Sequence, residues 1–100
     1  MEFEWDEAKN RANQLKHGLR FEDVLDVFDD PRGITEQARL VGGEERFQTI
    51  GRSGGLVVVF VVHTQRAKDG GLAARLISAR RASRKERERY DSGNTQDRSI

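Results

Sequence analysis

Apolar and acidic residues alternate at the start of the chain, with Phe3 and Trp5 set between Glu2, Glu4 and Asp6. That is the period of a half-buried strand. From Glu7 the spacing changes: Ala8, Ala12 and Leu15 fall on one helical face, with Lys9, Asn13 and Lys16 nearby. Asp6 can accept from the free N–H groups of a first turn, and Gly18 can close the last one. The pattern predicts a helix from Glu7 to about His17 whose thin apolar stripe keeps it on the surface of the core. Phe21, Val24, Leu25 and Phe28 recur at three- and four-residue intervals and predict a second short helix. Asp29-Asp30-Pro31 closes it, because proline disfavours helix at the residue before it. The two helices form a hairpin across a brief glycine turn.

Beyond Gly33 the pattern is that of strands. Ile34 to Arg39 is a weak one, Gly42-Gly43 punctuates, and Glu45 to Gly51 alternates. Ser53-Gly54-Gly55 reads as a hairpin turn. Leu56 to Val62 is β-branched and apolar on both faces, which marks the central strand; it emerges at His63-Thr64-Gln65-Arg66. Lys68-Asp69-Gly70-Gly71 is a further turn, and Leu72 to Ala79 is the returning strand. Ser83-Arg84-Lys85-Glu86 fits the capping box, in which two side chains satisfy each other's free backbone donors, so a helix is expected from Arg84 to about Tyr90. Residues 91–100 are polar, have nothing to bury and are expected to be a disordered tail. The expected order, β-α-α-β-β-β-β-α over residues 1–90, is that of an α+β domain with an antiparallel sheet packed against helices.

Composition narrows the partners. One hundred residues make one domain. With no cysteine there is neither a disulfide nor a thiolate metal site. The acidic N-terminus lacks the basic and apolar regions of a signal peptide, and Leu56 to Val62 is too short to span a bilayer, so a soluble cytoplasmic protein with no membrane association is expected. The net charge of +1 conceals an asymmetry: residues 1–50 carry 12 acidic and 7 basic side chains, residues 51–100 carry 5 and 11. A basic C-terminal half suggests an anionic partner, most often nucleic acid.

Metal chemistry has no ligand-spaced cluster to support it, and neither a metal nor another cofactor is expected. His17 suits a helix end, near the negative end of the dipole, and His63, at the exit of the central strand, either borders a cleft or packs at an edge. No phosphate-loop pattern occurs among the 10 glycines. What remains is cationic: Arg66 after the central strand, and Arg80, Arg81 and Arg84 at the last strand-to-helix junction. Arginine binds phosphate bidentately and stabilises charge that develops during backbone cleavage. RNA cleavage needs no metal, because the ribose 2′-hydroxyl is an internal nucleophile; it needs alignment, charge neutralisation and proton transfer. Lys9, Lys16, His17, Glu86 and Tyr90 are candidates for the proton work, whereas Lys85, Arg87 and Arg89 read as a solvated helix face. If 56–66 and 72–79 form a hairpin, Arg66 lies at the Gly70-Gly71 end and Arg80 at the other.

Several stretches together resemble one family. Phe3-Glu4-Trp5-Asp6, Lys9, Asn13 and Lys16-His17-Gly18 resemble its opening, Phe21 and Phe28 its second helix, and Glu45-Arg46 through Ile50-Gly51 its middle strand. Ile77-Ser78-Ala79-Arg80 with Ala82, Arg84, Glu86 and Tyr90 resemble its close. The family is the BrnT toxins of bacterial type II toxin–antitoxin systems. The resemblance implies a RelE-like fold and a ribonuclease toxin that inhibits translation and growth. It also implies a BrnA-type ribbon-helix-helix antitoxin, through which the complex binds operator DNA and represses its own promoter. Carried over by position, the catalytic surface falls on Arg66, Arg80 and Arg84, with Lys9 and His17 beside them; Lys16, Arg81 and Tyr90 are expected as RNA-binding residues. The alternative is a non-catalytic module that binds nucleic acid or protein through the same patch.

Overall fold

The computed structural model describes residues 1–96. Strand β1 (Glu2–Glu4) leads into helix α1 (Glu7–His17). Asp6 caps α1 as its chemistry requires, its carboxylate accepting from Ala8 N at 2.8 Å, and Gly18 ends it at φ +73, a left-handed conformation that costs glycine little. The buried face of α1 is not the expected one. Ala8, Ala12 and Leu15 are exposed, and Asn10 and Asn13 point inward.

The second helix is also different. Residues 21–29 form two successive 3-10 turns, Phe21–Asp23 and Leu25–Asp29. Three residues per turn bring Phe21, Val24 and Val27 to one side; all three are fully buried, while Leu25 and Phe28 are only half-buried.

The remaining strands are β2 (Ile34–Val41), β3 (Glu44–Ser53), β4 (Val57–His63), β5 (Arg66–Lys68) and β6 (Gly71–Arg81). They hydrogen-bond in the order β1-β6-β4-β3-β2, with β5 also paired to β6. β5 continues the line of β4 after a break at Thr64-Gln65, since His63 faces Leu76 and Arg66 faces Ala73 in one register. β4 is central, as its β-branched run requires. The sheet is antiparallel except at one edge, where β1 lies parallel to β6. α1 lies between these two strands in the chain and packs on β6, so no hairpin dictates the direction of β1.

One face of the sheet, carrying Val59, Val61, Leu76 and Ala79, packs on the 3-10 turns to form the main core. The approach there is close: a Cβ on Gly51 would lie 2.9 Å from the Val27 carbonyl oxygen. Helix α2 (Arg84–Gln96) crosses the opposite face. It runs past the expected end at Tyr90 and through Asp91–Gln96, which are helical rather than tail, and the rest of the expected tail lies outside the described residues. Tyr90 fixes α2 by donating its hydroxyl to Asp30 at 2.6 Å, and Arg89 pairs with Glu36 at 2.9 Å. Among the described residues, no helix is long and apolar enough to cross a membrane.

Candidate active site

The eight candidate residues separate into four places. Lys9, Lys16 and His17 come together. Helical spacing puts them on the flank of α1 that overhangs β6, where they line a groove of about 220 Å³ with Ala12, Asn13, Ile77 and Ser78. Among the described residues, none of these three side chains has an ion pair or hydrogen bond. Two unpaired ammonium groups and an imidazole therefore share one concavity.

The groove is rigid because α1 is tied to the open edge of β6 by an amide. Asn13 Nδ2 donates to the carbonyls of Ala79 at 2.8 Å and Leu19 at 2.9 Å, and its Oδ1 accepts from Ala79 N at 3.0 Å. Asn10 does the same one turn earlier, accepting from Phe21 N at 2.8 Å and donating to Glu22 at 2.8 Å. The hydrophobic pattern missed both residues. The signal for them was the residue type, since asparagine is a poor occupant of a helix interior unless its amide has other partners.

Arg80 projects from the face of β6 that carries Ser78, two residues and about 7 Å along the strand. Its guanidinium lies over the Phe60 ring at 4.2 Å and forms two bonds to Glu86, at 2.8 and 2.9 Å. Glu86 also accepts from Ser83 N at 2.8 Å, while Ser83 Oγ accepts from Glu86 N at 3.2 Å, so the expected capping box is present. The Arg80 hydrogen bonds hold the Glu86 carboxyl below its usual range despite its partial burial. Arg84 is 87% exposed and pairs only loosely with Glu88, at 3.4 Å. Arg81 is exposed at the end of β6.

Arg66 is elsewhere. Its strand partner is Ala73, seven residues from Arg80, a separation of about 23 Å along β6. It is paired there with Glu4 at 2.9 Å. Tyr90 is a correction to the sequence reading: at 2% exposure and with its hydroxyl on Asp30, it anchors α2 and offers no ring to a base. His63 is buried between Phe28 and Phe47, its Nδ1 against the Thr64 carbonyl and Nε2 2.7 Å from Thr49 Oγ1. Burial pushes its pKa down, opposed by the Thr64 carbonyl, so it is a neutral core residue. Among the described residues, no three His, Asp or Glu side chains gather into a group that could hold a metal ion.

Comparison with known proteins agrees with this arrangement of strands and helices. A family model described as the ribonuclease toxin BrnT of type II toxin–antitoxin systems matches residues 5–86. The crystal structure of the Brucella abortus ribonuclease toxin BrnT superposes with a TM-score of 0.61 at 30% identity, over 84% of this chain and 99% of that one. No curated protein sequence matches. With four-fifths of its length matched by the family model and its fold shared with the Brucella toxin, the chain belongs to the BrnT family of ribonuclease toxins of type II toxin–antitoxin systems.

Proposed function

We propose that RNA is cleaved in the groove between α1 and β6, without a metal ion. The observation that carries this reading is the gathering of Lys9, Lys16 and His17, all unpaired among the described residues, against Ser78 on a strand that leads to Arg80. The lysines hold the scissile phosphate and offset the charge that develops on it. His17 serves proton transfer: its imidazole takes the 2′-hydroxyl proton as the O2′–P bond forms, and the resulting imidazolium returns a proton to O5′ as the P–O5′ bond breaks. The products are a 2′,3′-cyclic phosphate and a 5′-hydroxyl. Arg80 and Arg84 guide the adjoining backbone past the start of α2, Arg80 through the guanidinium edge left open beside Glu86. Arg81, at the strand end between them, adds a further phosphate contact.

The type II system implies an antitoxin. We assign it to the BrnA ribbon-helix-helix class, with the complex binding operator DNA and repressing its own promoter, and with growth arrest following from loss of translated RNA in the cytoplasm. The residue assignment is tested by incubating the protein with RNA and a chelator. Cleavage is expected to persist in wild type and to fall by about 10²-fold or more in Lys9→Ala and His17→Ala, with circular dichroism unchanged. Unimpaired cleavage by the double variant would remove the groove from consideration.

A further inference from the structure

A second concavity, of about 370 Å³, opens where β3 diverges from the β4–β5 line. Strand pairing between β3 and β4 stops at Phe47↔His63, while β3 continues back to Glu44 and the other strand forward to Arg66. The cleft between them is lined by Glu44, Phe47, Thr64, Gln65, Arg66 and Arg75. On β6, Arg75 of this cleft lies three residues, about 10 Å along the strand, from Ser78 of the α1 groove.

The two concavities differ in charge. The lysines of the α1 groove are unpaired among the described residues, whereas Arg66 and Arg75 of the cleft each pair with a carboxylate. Arg75 binds Glu44 at 2.7 Å, Arg66 binds Glu4 at 2.9 Å, and Gln37 donates to Glu45 at 2.9 Å. Such a site does not select a phosphate. It does contain groups that recognise a flat, uncharged ring with donors and acceptors on its edge. Phe47 supplies a half-buried ring held from behind by the stacked His63 imidazole, with centroids 6.1 Å apart. The Gln65 amide has no hydrogen-bond partner among the described residues. RNA-binding proteins read unstacked bases with this combination of an aromatic face and an amide or guanidinium edge.

We infer that the cleft between β3 and β5 is a nucleobase subsite, which takes a base flanking the scissile phosphate and sets the sequence preference of cleavage. The Gln65 amide meets the base edge, Phe47 meets its face, and Arg66 and Arg75 border the mouth. The inference rests on cleavage in the α1 groove, and its test separates the two. Fragment ends from wild type and from Gln65→Ala and Gln65→Glu are mapped on one long RNA. Wild type is expected to favour one base at a fixed position beside the cut, and both variants to reduce that preference roughly fivefold, the effect of one lost hydrogen bond. In parallel, the four nucleoside monophosphates are titrated separately into wild type, following the Gln65 side-chain amide and Phe47 ring by NMR. The favoured base is expected to shift both, and the other three to shift them less. If wild type cleaves with an unchanged fragment pattern in both variants, or if all four nucleotides move only Lys9, Lys16 and His17, the subsite is refuted while the groove stands. If Lys9→Ala and His17→Ala cleave normally, the groove assignment fails on its own.

Discussion

Replacement of Asn13 by alanine tests the joint between α1 and β6. The wild-type amide satisfies Ala79 N–H at 3.0 Å, Ala79 C=O at 2.8 Å and Leu19 C=O at 2.9 Å, and Asn13 is itself only 6% exposed. Ala79 is fully buried, so its N–H loses a partner that solvent does not replace. A buried donor left unsatisfied costs about 1–3 kcal/mol, and the two carbonyls add a smaller amount. A total of about 3 kcal/mol is expected. For a domain of this size it corresponds to a fall in Tm of roughly 12–24 °C. Urea unfolding followed by circular dichroism measures it directly, with Gln14→Ala on the exposed face as a control expected to change stability by less than about 0.5 kcal/mol. Asn13→Asp separates the two halves of the amide. It keeps an acceptor for Ala79 N–H but turns a carboxylate oxygen toward two carbonyls, and should be at least as damaging as alanine. If Asn13→Ala unfolds at the urea midpoint of the control, the amide bracket does not hold α1 and the rigidity ascribed to the groove is wrong.

Two further expectations concern pH. Burial raises the Asp30 pKa, but hydrogen bonds from Tyr90 and from the backbone N–H groups of Arg52 and Arg32 outweigh it and leave the carboxyl below its ordinary value. A depressed folded pKa gives stability that is complete above about pH 4 and lost as pH falls through the folded value. Tyr90→Phe removes a 2.6 Å bond to that carboxylate, so it should cost about 1.5 kcal/mol at pH 7 and shrink the acid-dependent loss in urea midpoints between pH 5 and pH 3; an unchanged acid profile would show that the pair is uncoupled. For His63, burial lowers the pKa beneath an unfolded value of about 6.5, so stability should decline as pH falls from about 6.5 toward the folded value. His63→Gln is expected to flatten that decline between pH 7 and pH 5, and a slope equal to that of wild type would locate the titration elsewhere.

Local rules identified much of this molecule. Asp6, Gly18, the Ser83–Glu86 capping box and the β-branched run at 57–62 act through chemical groups near each other in sequence, and the structure shows each in its expected role. The opposition of Arg66 and Arg80 followed from hairpin geometry alone, since a strand has a fixed rise per residue. The candidate groove was legible only as separate residues: Lys9, Lys16 and His17 have helical spacing, but nothing local says which flank of α1 meets a strand sixty residues away.

Tertiary structure decided the rest. Apolar periodicity put Ala8, Ala12 and Leu15 inward, yet Asn10 and Asn13 take that face because β6 and the 3-10 turns present unpaired backbone groups there, not apolar surface. Likewise, the pairing of Arg80 with Glu86, the burial of Tyr90 against Asp30 and the cleft left where β3 and β4 part depend on elements that meet only after the sheet has formed. Caps, turns and strand alternation are short-range, and the sequence of this protein determines them by itself. Which polar groups are left without a partner, and what then satisfies them, is a property of the packed whole.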